Sequence, residues 1–252
     1  MPHLAPHILR FDSLPSTNLE AARRAIEGAA EGLCEVASEQ TAGRGRLQRQ
    51  WISPKGAGLY FSVVLRPRIR QSSWPLITLA AALAVHDALL EASSLNTDIK
   101  WPNDVLANNR KLCGILAETV ETTKGRAVVL GIGINLTSSA FPPEVDVIAT
   151  SVQLETGKLP DLETILRSLM LAIERRYERL QSVHGGEDIV REWSVRSSYA
   201  SGKRIRVANG QEIVEGTTRG IERDGGLRVE TNNGEIRIVR AGDVTALRTI
   251  DE

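Results

Sequence analysis

Residues 98–136 read DIKWPNDVLANNRKLCGILAETVETTKGRAVVLGIGINL, and the fold is decided there. The apolar residues come in short runs bounded by turn formers, which predicts strands over 98–100, 105–107, 112–121 and 127–135. Asn108-Asn109 forms a tight polar turn between the second and third of these. Toward the N-terminus, residues 59–65, 33–38 and 7–11 read as three further strands. Helical spacing interrupts them. Thr17 with Glu20 three residues later has the spacing of a capping box, opening a helix to about residue 30. Pro75 suits the first turn of a second helix, with Leu76, Leu79, Ala80, Leu83 and Leu90 at helical spacing. Asp161 caps a third, whose stripe runs through Leu162, Ile165, Leu166, Leu169, Ile173, Tyr177 and Leu180. A loop is expected over 137–160. Helices mixed with strands in this way predict an α/β (α+β) domain on a mixed sheet.

Beyond Gly202 the texture changes to short β-rich runs (204–207, 212–221, 227–231, 235–239, 244–247). They are separated by Asn209-Gly210, Asp224-Gly225-Gly226 and Asn232-Asn233-Gly234, as in a small barrel or meander. The expected division is 1–200 and 201–252, with the boundary near 198–202.

Composition narrows the function classes. In 252 residues, 42% are hydrophobic and 25% charged, enough to bury a core. Thirty-one basic and thirty-one acidic residues cancel, so no global field draws the chain to nucleic acid or an anionic membrane. Any anion must be held by a local cluster of donors. No apolar run approaches the roughly 20 residues that span a bilayer, and no basic-then-apolar leader opens the chain. Cys34 and Cys113 are too few for a disulfide framework and read as buried thiols. His3, His7, His86 and His184 are scattered, with no metal-ligand spacing. A cytoplasmic protein is expected.

Five segments carry possible chemistry. Residues 40–46, QTAGRGR, combine flexible glycines with two guanidinium groups. Glycine lets backbone N–H groups approach an anion, and arginine donates in a planar fork. On its own, the segment reads first as a solvated basic turn. It is neither a P-loop nor a Rossmann fingerprint. Residues 100–104, KWPND, place Asn103 and Asp104 after an extended Trp-Pro step, able to aim an amide and a carboxylate from a sheet edge; an Asn-Asp turn explains those two alone. Lys111 opens an apolar strand, as an edge residue or as the cation facing a ligand's charge. In 131–136, GIGINL, alternating glycines thin a buried strand so that something can pack on it, with Asn135 at its end. Ser16-Thr17-Asn18 reads first as a helix cap.

In their order (STN, QTAGRGR with Trp51 close behind, KWPND, RKLCGILAE, GIGIN) the five motifs resemble the biotin protein ligase family over residues 13–136. The resemblance implies a catalytic domain of the class II aminoacyl-tRNA synthetase/biotin ligase type and a small SH3-like C-terminal β-barrel. It implies an enzyme that joins biotin to ATP as biotinyl-5′-adenylate, then passes biotin to a lysine of a biotin carboxyl carrier protein, with Mg²⁺ escorting the triphosphate. Ser16, Thr17, Asn18 and Gln40 would line the biotin site. Arg44, Gly45 and Arg46 match a loop that folds over biotin and adenylate, and Lys111 the lysine at the carboxylate and phosphate. Asn103 and Asn135 fall on the nucleotide side together with Arg44, Arg46 and Lys111. Asp104 is the candidate for orienting or deprotonating the incoming lysine. Arg46, Lys111 and Asp104 are thus the catalytic candidates, and Arg248 is placed to reach the nucleotide.

Leu47-Gln48 departs from relatives that continue the loop with basic or glycine residues, which implies a less tightly held adenylate. Lipoate and octanoate ligases or transferases share the implied fold but carry a glycine-rich, Arg-Arg-containing motif followed by a His-Asp, and no such glycine-rich motif occurs here. A DNA-binding helix-turn-helix needs about 60 residues before the catalytic motifs, and STN begins at Ser16, so no DNA partner and no membrane partner are expected. A homodimer is left open.

Overall fold

The computed structural model describes residues 7–137 and 147–246. Seven strands, β1 (His7–Phe11), β2 (Leu33–Ala37), β3 (Gly58–Leu65), β4 (Asp98–Lys100), β5 (Asp104–Ala107), β6 (Arg110–Thr122) and β7 (Gly125–Asn135), form one mixed sheet in the order β1-β2-β3-β7-β6-β5-β4. Only β1 and β2 run parallel; the other ladders are antiparallel. Asn108 and Asn109 both adopt positive φ, 48° and 62°, the conformation of a tight two-residue hairpin turn that asparagine tolerates.

Strand alternation sorts the sheet into two faces. Phe61, Val63, Leu65, Ile115, Leu130, Ile132 and Ile134 point one way into the main core. Helix α2 (Pro75–Ser93) lies there, apolar all round, with α4 (Leu162–Leu180) and α5 (Gly185–Arg196) packed on it. Within residues 71–93 an 18-residue window has a mean hydropathy of 1.5, so the sequence does hold a stretch of bilayer-spanning length and composition, contrary to expectation. With 67% of that window buried, it is the central core helix of this fold. Cys34 and Cys113 are buried and unpaired; desolvation pushes the Cys34 thiol up to about 12 and Cys113 higher still.

The other face is only half covered. Helix α1 (Thr17–Ile26) seats Ala21 and Ala25 on Val64, Ala127 and Val129 at one end of the strands. The capping box is not formed: Ser16 is the N-cap without a side-chain bond, and Glu20 pairs with Arg23 and Arg24. The cap comes from a distance. Gln40 Oε1 accepts from the Thr17 N–H at 2.8 Å, satisfying a donor that the helix leaves open. The helix stops at Ile26, short of residue 30, and Gly28 follows with φ 98°. Two helices were not anticipated. The short α3 (Val152–Thr156) lies within the expected loop, and α5 has a more polar stripe closed by Ile189 and Trp193. Residues 138–146 of that loop lie outside the described residues.

Strands β8 (Ser201–Asn209), β9 (Glu212–Ile221), β10 (Leu227–Thr231), β11 (Ile236–Val239) and β12 (Asp243–Ala246) form an antiparallel sheet in the order β11-β10-β9-β8-β12. Among the described residues no ladder joins β11 to β12, so the expected barrel is an open sheet here. Its Ile205, Val207, Leu227 and Val229 join the core that also contains Trp193 and Trp101. Trp101, 2% exposed, donates from its indole N–H to Gly225 O at 2.9 Å, fastening the two sheets together. Its bond to Pro102 is cis.

Glu35 on β2 lies fully buried beneath α1, with Arg24 Nε 3.0 Å from one oxygen. Desolvation pushes its carboxyl from 4.5 up to about 7; Glu20 adds to the rise and Arg24 opposes it. An acid whose pKa is raised by folding holds its proton more tightly in the native state. Its contribution to stability is therefore full below 4.5 and is lost as pH rises through about 7. Glu35→Gln is expected to flatten the stability profile across that window and to raise stability at pH 8 by up to about 3 kcal/mol. Urea denaturation of both proteins at a series of pH values measures this.

Candidate active site

Beyond α1, the half-covered face carries Gly114 on β6 and Gly131 and Gly133 on β7, with Gly114 and Gly133 directly paired. A Cβ at Gly131 would run into the Asn18 amide, and one at Gly133 into the Trp51 indole; one at Gly114 would lie 2.9 Å from the same ring. The sequence expectation that something packs on the thinned strand is met by these two side chains. Trp51 lies over the glycines with Lys111 Nζ 5.4 Å from its ring centroid, a cation–π distance, and its indole N–H is buried without a partner.

A pocket stands on this floor. Ser16, Thr17, Asn18, Gln40, Arg44, Gly45, Arg46, Asn103, Asp104 and Lys111 all line it, ten of the eleven residues singled out from sequence. Four distant segments of chain deliver them. Asn135 is the exception: it lines a broader depression beside the pocket, shared with Lys100, Asp104 and Lys111, and its amide donates to Thr150 O at 3.0 Å.

One wall is a polar chain at the start of α1. Ser62 Oγ lies 2.8 Å from Thr17 Oγ1 and 2.6 Å from Asn18 Oδ1, while Thr17 Oγ1 donates to Gln40 Oε1 at 3.1 Å. Gln40 Nε2 in turn donates to Ser53 Oγ at 2.8 Å. Thr17 and Asn18 are each less than 5% exposed, so these bonds hold their side chains in fixed directions; Ser16 beside them is equally buried.

The opposite wall is the Gly-Arg segment, folded as a hairpin: Trp51 N donates to Gly43 O at 2.9 Å and Gly45 N to Arg49 O at 2.7 Å. At its tip Leu47 and Gln48 have φ 54° and 61°. That left-handed conformation costs about 1–2 kcal/mol per non-glycine residue. It gives the departure at Leu47-Gln48 a physical meaning, because glycine would adopt it freely. Side-chain anchors hold the tip instead. Arg46 Nη1 donates to Asn103 Oδ1 at 3.1 Å and to Gly242 O at 3.3 Å; Arg49 pairs with Asp243. Burial pulls the Arg46 guanidinium below its ordinary value, opposed by Asp243 and Asp104.

The cationic end is set by Lys111, whose Nζ lies 2.6 Å from Asp104 Oδ1. Lys100 sits across the ladder from Asp104, its ammonium pulled below its usual value by burial. The arrangement gathers cations where an anion would sit, next to a wall of oriented neutral donors and acceptors. Among the described residues no group of three His, Cys, Asp or Glu is placed to hold a metal ion.

Sequence reasoning overlooked Gly242, Asp243 and Glu118. Asp243 lines the pocket from β12 and Gly242, just before it, accepts from Arg46, a long-range approach that leaves no local signal. Glu118 was findable, because it follows Gly114 and Leu116 on the pocket side of β6's alternation. Arg248 lies outside the described residues.

Pocket and fold together define a small-molecule enzyme whose binding surface is built for an anionic ligand. Residues 9–135 match the Biotin/lipoate A/B protein ligase family, and residues 200–245 the Biotin protein ligase C terminal domain. The bifunctional ligase/repressor BirA of Bacillus subtilis is 40% identical over 245 residues, covering 94% of this chain and 74% of that one. The biotin--[acetyl-CoA-carboxylase] ligase of Mycobacterium tuberculosis is 38% identical, covering 92% and 86%. A biotin protein ligase from Aquifex aeolicus, solved in complex with biotin and ATP, superposes with a TM-score of 0.84 at 27% identity, over 96% of this chain and 99% of that one. The chain belongs to the biotin protein ligase family.

The Arg49–Asp243 pair is half in solvent and worth at most about 1 kcal/mol. Asp243→Asn is therefore expected to leave the melting temperature within a few degrees. It is also expected to speed tryptic cleavage within residues 44–49 by about two- to fivefold, read by mass spectrometry of timed digests.

Proposed function

We propose that the pocket joins biotin to ATP and that the chain then transfers biotin to a lysine of a biotin carboxyl carrier protein. The observation that carries this is the convergence of STN, QTAGRGR, KWPND and Lys111 on one glycine-floored pocket. The polar chain of Thr17, Asn18, Ser62 and Gln40 offers fixed donors and acceptors suited to a cyclic urea. The glycine-thinned floor suits its flat ring.

In the first half-reaction a biotin carboxylate oxygen attacks the α-phosphorus of ATP and pyrophosphate leaves. Charge builds on the phosphoryl oxygens, and catalysis there consists of positioning and of donors aimed at that charge. Lys111 and Arg46 supply them, Arg44 and the Gly45 backbone close over the product, and Asn103 holds Arg46 in place. Asn135 lines the adjoining depression, which leaves room there for the nucleotide. Asp104 and Asp243, the carboxylates that line the pocket, would hold a Mg²⁺ ion, which would supply charge neutralisation for the triphosphate.

In the second half-reaction the carrier lysine's amine attacks the acyl carbon and AMP leaves. The lysine arrives mostly protonated, with an ordinary pKa near 10.4, so its proton needs an acceptor. Asp104 takes it once Lys111 has turned toward phosphate and freed the carboxylate. Between the two steps the mixed anhydride must be kept from water, which gives the hairpin its role as a lid. A cytoplasmic location fits the two reduced thiols.

ATP–pyrophosphate exchange, with biotin, lipoate and octanoate supplied in turn, tests the reading. Exchange is expected with biotin alone; stimulation by lipoate and not biotin would move the chain to the other branch of its family. Lys111→Ala is expected to lower the biotin-dependent exchange about a hundredfold or more while folding is kept. Exchange at the wild-type rate would remove Lys111 from the chemistry.

A further inference from the structure

Glu118 stands where the helix-covered part of the sheet face meets the open part. It continues the alternation Gly114, Leu116, Glu118 along β6, and its ladder partner is Val129, which α1 covers. Its two carboxylate oxygens have separate partners on opposite walls of the pocket. Oε1 lies 3.0 Å from Arg44 Nη2 in the hairpin, and Oε2 accepts from Asn18 Nδ2 at 3.0 Å.

The pair with Arg44 alone is an ordinary half-exposed ion pair, its side chains 34% and 30% accessible, of a kind worth little. The bond to Asn18 changes its weight, because Asn18 is only 4% exposed and its amide has two possible orientations. With Nδ2 bound to Glu118 and to Leu116 O at 3.3 Å, Oδ1 is left facing Ser62 Oγ and the space over Gly131. Turned over, the amide would bring its oxygen against a carboxylate and a carbonyl, two acceptors with no proton between them. The charge on Glu118 therefore decides which end of Asn18 meets a ligand.

We propose that Glu118 is a positioning residue that presents Asn18 Oδ1 as an acceptor for a ring N–H of biotin and, with its other oxygen, sets Arg44 of the lid above the same ligand. The inference rests on the biotin-ligase reading of this pocket. One carboxylate thereby couples recognition of the urea ring to the seating of the lid.

Glu118→Gln keeps the size of the side chain but replaces one acceptor by a donor, while both partners are themselves donors. Titration calorimetry of the full chain with biotin alone is expected to show an affinity about tenfold lower, as for loss of a hydrogen bond to a charged group. The affinity for ATP alone is expected to stay at the wild-type value, a split that general loosening of the fold would not give. Once the adenylate is formed, its bound lifetime should shorten. Adding Arg44→Gln to Glu118→Gln should shorten it no further, since Arg44 would already have lost its orientation.

Wild-type biotin affinity together with a wild-type adenylate lifetime in Glu118→Gln would overturn the proposal, as would fully additive effects of the two substitutions. Should Glu118→Gln not fold, Glu118→Asp serves in its place, keeping the charge but too short to hold both partners. Reduced biotin affinity with intact ATP affinity again supports the inference, and both intact overturns it. If the wild-type chain itself neither bound biotin nor gave biotin-dependent exchange, the functional reading would fail and the role of Glu118 with it. Binding and exchange in the wild type, unaltered in the variants, would overturn the role of Glu118 alone.

Discussion

Where the pocket meets the sheet, Gly114, Gly131 and Gly133 carry no side chain, and the closeness of everything above them depends on that. Asn18 and Trp51 occupy the volume that Cβ atoms would fill. The same strands pack Ile115, Leu130, Ile132 and Ile134 tightly into the core on their other face. Rigidity below and absence above make a recess in the middle of a sheet. Glycine in a strand weakens it by lost side-chain packing and greater backbone freedom. Here the long antiparallel ladders on both sides of β7 hold the strand regardless.

On that floor, structural bonds and recognition bonds are shared. Gln40 satisfies the first turn of α1 and lines the pocket, so the helix cannot shift without moving the site. The hairpin carries strained backbone at Leu47 and Gln48, offset by bonds from Arg46 and Arg49 to Asn103, Gly242 and Asp243. Two of those three partners belong to the second sheet or the turn before it. The C-terminal segment therefore serves as a wall for the hairpin, and Trp101, buried and bonded to Gly225, ties that segment to KWPND.

Much of this was legible in the chain. Short apolar runs bounded by turn formers located β3 to β7; β3 is buried along its whole length and β7 along most of its own, so such runs, more than alternation, mark them. The Asn-Asn turn was readable because asparagine tolerates positive φ. The site residues were readable as motifs, and ten of them do share one pocket. Local patterns failed where a distant partner took over a local role. The capping box at Thr17 and Glu20 gave way to Gln40, twenty-three residues on, because Glu20 found Arg23 and Arg24. The helix over 185–196 was missed because its buried side is short and mixed with charge. Asp243 and Gly242 were invisible for the same reason as Gln40's cap: only tertiary approach gives them a meaning at the site. Asn135, read as a site residue from its motif, donates its amide to Thr150 O and lines the adjoining depression rather than the pocket.

If the glycine floor is what creates the biotin recess, one added methyl group is enough to spoil it. Titration calorimetry of Gly131→Ala with biotin tests this most directly, since that Cβ would collide with the Asn18 amide while leaving every charged group in place. The account predicts a folded protein whose biotin affinity is lower by about tenfold to a hundredfold, the cost of overpacking a closely fitted site. A folded Gly131→Ala protein that binds biotin as tightly as the wild type would contradict it.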